Sequence, residues 1–369
     1  MQKLSTLNVG QANHKNSGKK AHVEYLGEGG FMELKSNYTP KKIVNYVSSG
    51  DSIAHSASSQ WYFAEICEDY LDLESFESAP EEHIIDYGDV LRWCVNTLES
   101  SPSARLMLKE ACAQDWTVSL DDLNGGEYCV DVDQKLLIID HNGLLPTALG
   151  ASGYFRNATL AMLVKALRDI WQEKRHGGFD EQYSPDNVLL MERVRAADLD
   201  VLLVLVAWEL RSEEYSDLWR HLIGSEIGDI AMSFSGYLER EPSSAFNGLA
   251  LRNAFKQWFR DEARINSCDH DALEYMDDVL NSSVLRNPFG RKKPTKMNVE
   301  ILSCLPDKTA YLQGYGGEIL SDPSYAMVND EINQTHLFHI MYDLEATIVE
   351  NVPFRDAELA RKIFPIERD

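Results

Sequence analysis

The chain reads as an α+β protein, predominantly helical, with a helical core, a small β-hairpin or sheet and a C-terminal α/β tail. Apolar residues recur at three- and four-residue spacings through much of Ser101 to Leu280, as at Leu160, Leu163, Val164, Leu167, Ile170 and Trp171, which is the signature of helices with a buried face. Strand-like runs in that stretch are confined to Glu127–Val132 and Lys135–Asp140, behind the turn residues Asn124-Gly125-Gly126, an arrangement that predicts a hairpin. The 369 residues are 44% apolar, enough for one large or two modest cores.

Taken in order, residues 1–45 are rich in Lys, Asn, Ser and Gly without periodicity and read as a mobile arm. The main helical domain is expected over 46–283. Ile43 to Leu91 contains no Lys or Arg, and Trp61, Tyr62, Phe63, Ile66, Tyr70 and Leu73 form a stripe among its acids, as in an amphipathic helix with a solvated acidic face. Ser101 before Pro102 predicts a capped helix start that ends before Trp116. The hairpin occupies 127–140. A strong helix covers Asn157 to Arg175 and stops at His176-Gly177-Gly178. Ser184-Pro185 opens a second helix reaching Trp208, expected at the centre of the core. Further helices are predicted at 215–240, 244–265 and 270–281. Residues 284–297, with Arg291-Lys292-Lys293-Pro294, read as a basic linker. Beyond it, 298–369 reads as a strand at Val299–Leu305, a turn at Gly314–Gly317 and a helix at Asp330–Glu350 that pack on the main domain.

Charge and cysteine content narrow the function classes. The formal net charge of -24 disfavours general nucleic-acid or anionic-membrane binding. The six cysteines lie far apart with no C-x-x-C pair, so no zinc ribbon or dithiol site is written here. The longest apolar run, Val201–Trp208, is far short of a bilayer span. No secretory leader is evident at the N-terminus, and a cytoplasmic protein is the expectation.

Familiar catalytic signatures are incomplete. Gly150-Ala151-Ser152-Gly153 has its second glycine one residue early for a nucleophile elbow, and Gly314–Gly317 lacks the Lys-Ser/Thr of a phosphate loop. His336 and His339 share a helix face, with Leu337 where a metalloprotease helix would carry its glutamate. Glu173 and His176 form one E-x-x-H, where a di-iron bundle needs two.

The order of elements is more informative. A hairpin, then a long helix, then a second acid-bearing helix is the zincin layout, in which a strand aligns the substrate and the two helices supply metal ligands and base. Tyr128–Asp140 leading into His141-Asn142-Gly143-Leu144, then Leu163–Gln172, Arg193–Asp198 and Ala207-Trp208-Glu209-Leu210, resembles a bacterial domain-of-unknown-function family described as putative metallopeptidases. The resemblance covers Ser101 to Leu280 and extends toward the tail. It implies an H-E-x-x-H helix, from which this chain departs: Lys165 and Asp169 stand at the histidine positions and Ala166 at the base.

Alanine cannot take a proton from water, and a lysine ammonium is no zinc ligand. The leading expectation is therefore a metallopeptidase-like protein without catalysis, with no cofactor, that binds a peptide or protein partner along the hairpin edge. Lys165, Asp169 and Asp198 would form a charge-substituted pseudo-site, the ammonium standing in for a cation. Asp198 has Arg195 on its own helix as an alternative local partner. The second reading is a metal-dependent hydrolase holding zinc or another divalent ion through Glu173, His176, Glu192, Asp198 or His221. A third is capture of a basic partner by the acidic 51–90 segment.

Overall fold

The computed structural model describes residues 60–71, 84–176, 182–282, 288–345, 347–349 and 352–354, all of them within one unit, Asn37–Asp369. The expected arm at 1–45 and much of the acidic 51–90 segment lie outside the described residues, as do parts of the basic linker and the end of the tail.

The architecture is predominantly helical around a small mixed sheet. Strand β1 (Trp61–Tyr62) runs directly into helix α1 (Phe63–Leu71), and α2 (Tyr87–Glu99) and α3 (Pro102–Ala113) follow. The N-caps are as the sequence predicts for α3, where the Ser101 side chain accepts from Ala104 N–H. Next come β2 (Thr117–Asp121), β3 (Tyr128–Asp131) and β4 (Leu136–Asp140). The sheet order is β1-β2-β4-β3, so the predicted hairpin is joined through β4 to a strand that the sequence reading did not identify. β2 and β4 are parallel, with Thr117 opposite Leu136 and Asp121 opposite Asp140. All five residues of β4 are buried, as expected of a strand flanked on both sides. The Asp140 carboxylate accepts from the backbone N–H groups of Leu123, Gly125 and Asn142, fastening the turn before β3 to the end of β4.

Helices α4 (Pro146–Ala151), α5 (Gly153–His176) and α6 (Pro185–Ser212) come next. α5 lies on the sheet and packs against α6, and α6 is buried along nearly its whole length. α7 (Asp217–Ile223) and α8 (Gly228–Arg240) divide the single helix expected at 215–240. The break follows Gly224, and a Cβ on Gly228 would strike the Ile223 carbonyl. α9 (Ser244–Asn247) and α10 (Leu249–Trp258) are separated by Gly248 at φ +74°, a left-handed conformation that ends one helix and starts another. α11 (Glu262–Ser282) packs on α6.

Two sequence expectations for the C-terminal part are corrected. Val299–Leu305, expected as a strand, lies mostly in α12 (Lys296–Leu302). Thr295 and Asn298 form a reciprocal capping box that fixes the helix start, a signal present in the sequence and overridden by the apolar run. The helix expected to reach Glu350 is α15 (Glu331–Glu345), after α13 (Gly316–Ser321) and α14 (Pro323–Ala326). It is followed by an antiparallel pair, β5 (Thr347–Val349) and β6 (Val352–Phe354). Within the linker, Phe289 is buried and Lys292 N–H donates to the Gln182 carbonyl. Among the described residues, no helix is long and apolar enough to cross a membrane.

Candidate functional site

The chemistry-bearing residues of this chain lie where α5 and α6 face each other. Lys165, Arg168, Asp169 and Gln172 occur at i, i+3, i+4 and i+7, one face of α5. Arg195, Asp198 and Asp200 answer from α6, and every one of these residues is buried. Their pairing is orderly: Lys165 meets Asp200, Arg168 meets Asp198 and Asp169 meets Arg195. As the numbers rise on α5 they fall on α6, which is what an antiparallel helix pair imposes.

The expected cluster of Lys165, Asp169 and Asp198 is thus not formed. Asp169 accepts from Arg195, which also reaches Glu173 at 2.9 Å. Asp198 is held by Arg168 Nε at 2.7 Å, by Gln172 and by the Tyr311 hydroxyl at 2.8 Å. The local Arg195–Asp198 alternative is not adopted either. The physical reason is register: neighbours on one helix point to different positions on the facing one.

Lys165 instead lies between Asp200 Oδ1 at 3.2 Å and Glu127 Oε2 at 3.4 Å. Glu127 comes from the turn entering β3, and Asp200 also accepts from the Trp258 indole N–H at 2.9 Å. Burial alone would lower the pKa of the ammonium, but the two carboxylates outweigh it and hold lysine above its ordinary value. Burial raises Glu127, against the pull of Lys165. The Tyr128 hydroxyl, fully buried beside this group, has no hydrogen-bond partner among the described residues, and burial followed by the Asp169 charge pushes its pKa well up. Glu127 keeps 27% side-chain exposure, against 6% for Lys165 and none for Asp200, so the trio meets solvent on the Glu127 side.

Next to it is an open depression of about 700 Å³ lined by Glu226, Asp229, Gln257, Arg260, Asp261 and Glu262 among others. Arg264 links the two places: it donates to Asp229, to the Glu226 carbonyl and to the carbonyl of Trp258, whose indole holds Asp200. The hairpin edge expected as a peptide ledge is closed. β3 is the outer strand of its sheet, yet Tyr128, Cys129 and Val130 are 1%, 4% and 6% exposed.

Among the described residues, the members of the alternative metal set are not brought together into a group able to hold a metal ion. Glu173 is committed to Arg195. His221 packs its ring on Tyr154 at 5.0 Å, and burial lowers its pKa. Glu192 is half-buried on α6, and the side chain of His176 lies outside the described residues. Of the other pairs, His336 bonds Asp277 at 2.7 Å while His339 is exposed, and Asp217 is bridged to Arg220. Ser152 sits at the junction of α4 and α5, where it caps Phe155 N–H. Among the described residues no three His, Cys, Asp or Glu side chains form a group able to hold a metal ion.

A long helix laid on a small mixed sheet, with its charged face turned to a second helix, defines a helical α+β domain. Residues 149–312 match the model of a family described as "Putative metallopeptidase family (DUF6782)". The match begins in α4 and includes α5, α6 and the whole Lys165 face. Neither a curated protein nor a solved structure gives a match.

A metal ion, which such a family description implies, does not fit the residues present. At the two positions where the sequence comparison expects histidines stand an ammonium and a carboxylate already bound by Arg195. Ala166 is fully buried in the apolar core. A divalent cation would face a lysine and an arginine at once, with their carboxylates already neutralised. The sequence reading missed Glu127, Arg168 and Asp200. The signal for the latter two was the antiparallel order of opposite charges on α5 and α6, whereas Glu127 is brought in by the sheet and had no local signal.

Proposed function

We propose that the protein is a catalytically silent metallopeptidase-like domain that acts by binding a peptide or protein partner. The observation that carries the first part is the position of Lys165. Its ammonium, clamped by Asp200 and Glu127 at 3.2 and 3.4 Å, takes the place on the first helix where the family resemblance calls for a metal ligand. A fixed internal cation then supplies the positive charge that the surrounding carboxylates need, without a vacant coordination position for water. Binding is supported by the open depression beside the trio, whose rim carries Glu226, Asp229, Asp261 and Glu262 against Arg260. Its size is within the range of ligand sites, and its charge suits a basic peptide segment.

Elemental mass spectrometry on untagged protein, before and after dialysis against chelator, tests the first part. The expected result is less than a tenth of an equivalent of zinc, iron or manganese, with no hydrolysis of a denatured protein substrate when zinc is added back. One tightly held equivalent overturns the reading. For the second part, capture of a basic partner should weaken on Glu226→Lys with Glu262→Lys and should fall with salt.

A further inference from the structure

The cysteines on α1 and α3 behave unlike the others. Cys67 and Cys112, 45 residues apart in sequence, bring their sulfurs to 3.3 Å. Neither is in a disulfide and both are partly exposed, whereas Cys94, Cys129 and Cys268 are buried, and Cys304 directs its sulfur at the Leu305 carbonyl. A disulfide bond is about 2.05 Å long, so a displacement of about 1 Å, within the reach of side-chain torsions, would close the pair.

The place of the pair gives the bond a consequence. β1 is two residues long and, among the described residues, is tied to β2 through Trp61 opposite Val118 and Tyr62 opposite Thr117. Phe63 N–H adds one bond to the Trp116 carbonyl, and Phe63 and Ile66 reach the core. α3, by contrast, is anchored at its start by Glu209 of α6, which accepts from Ser101, from Ser103 N–H and from the Ser103 hydroxyl. A bond from Cys67 to Cys112 would fasten the lightly held β1–α1 unit to a firmly held helix.

We propose that Cys67 and Cys112 are a site of reversible oxidation, forming an intramolecular disulfide when the protein meets a peroxide or a small-molecule disulfide. With hydrogen peroxide, one sulfur attacks an oxygen and water leaves, giving a sulfenic acid. The second thiol displaces its oxygen, and a second water leaves. Two thiols and one peroxide become one disulfide and two waters. With a small disulfide, one sulfur first takes up half of it, and the second thiol expels that half as a thiol. A dithiol reductant reverses either route. The hydrogen bond to Cys112, then burial, raises the Cys67 pKa above its ordinary value, so the reaction accelerates as the pH rises.

The closed loop restricts the unfolded chain, so the oxidised protein melts several degrees higher than the reduced one. The test incubates reduced full-length protein with hydrogen peroxide, and separately with oxidised glutathione, then denatures it and blocks the remaining thiols with N-ethylmaleimide. Six adducts are expected before treatment, one for each of the six cysteines, and two fewer after it, with peptide mapping joining Cys67 to Cys112. Cys67→Ser and Cys112→Ser each abolish the cross-link and the melting shift, and Cys304→Ser leaves both. An unchanged adduct number, a lasting glutathione adduct on either cysteine, or a bond to another cysteine or another chain overturns the proposal.

Discussion

Successive positions along α6 handle buried charge differently. Toward its start, Arg193 meets Asp269 of α11 through Nε and Nη2, both at 2.6 Å, and its remaining donors go to the carbonyls of Tyr325 and Met327. Arg168, facing the middle of α6, is satisfied in the same manner by Asp198 and by the carbonyls of Leu302 and Cys304. Farther along, Lys165 has a point charge held at longer range, a partner open to solvent and, beside it, a tyrosine hydroxyl with no partner among the described residues. A guanidinium presents several donors in a fixed plane and can be fully matched inside a protein, whereas an ammonium cannot fix so many partners. The arginine centres are therefore fold-building parts, and the lysine centre is the one that meets solvent, through Glu127.

That comparison can be broken by removing one partner at a time. Arg193→Met strands Asp269, whose side chain is fully buried, and should cost about 3–5 kcal/mol in urea unfolding. Adding Asp269→Asn should recover part of the loss. If Arg193→Met cost no more than an exposed substitution, the arginine centre would not be structural. Lys165→Met should cost less, because Glu127 reaches solvent and Asp200 keeps the Trp258 indole N–H as a donor. A larger loss than for Arg193→Met would reverse the contrast.

The pH dependence sharpens the same point. The folded-state pKa of Lys165 lies above its ordinary 10.5, so its stabilisation is fully present below that pH and is lost as the pH rises through the folded value. The stability gap between the wild type and Lys165→Met should hold at neutral pH and narrow above about 10.5. A gap that stays constant into strong alkali would count against the ion-paired lysine. His221 gives the smallest effect. Burial lowers its pKa from 6.5, so its contribution is present above that value and fades as the pH falls through the folded pKa. His221→Gln should flatten the loss of stability between neutral and mildly acidic pH, read by thermal unfolding at several pH values.

Much of this fold was legible in the sequence because its signals are local. The Ser101-Pro102 and Ser184-Pro185 starts, the periodicity of α5 and the β3–β4 hairpin are set by neighbours a few residues apart. β2 was missed because Thr117–Asp121 becomes a strand by parallel pairing with β4, a partner that lies beyond β3 in sequence. α12 was misread because Val299, Ile301 and Leu302 suit a strand equally well, and only the Thr295/Asn298 cap decides. The charged face of α5 was found, but its partners were not. Lys165 was set against Asp169 and Asp198, whereas the register of α5 on α6 brings Asp200, and the sheet brings Glu127. The closed edge of β3 is likewise a matter of burial, which strand periodicity does not report.

The carbonyl groups that complete Arg168 and Arg193 carry one more consequence, for the order of synthesis. Leu302, Cys304, Tyr325 and Met327 lie more than 130 residues after the arginines they satisfy. When a ribosome has finished α6, the two guanidinium groups already have their helix but lack these acceptors. The nascent α5–α6 hairpin must therefore keep them hydrated, and it settles into its final packing only after the chain has been made through Met327.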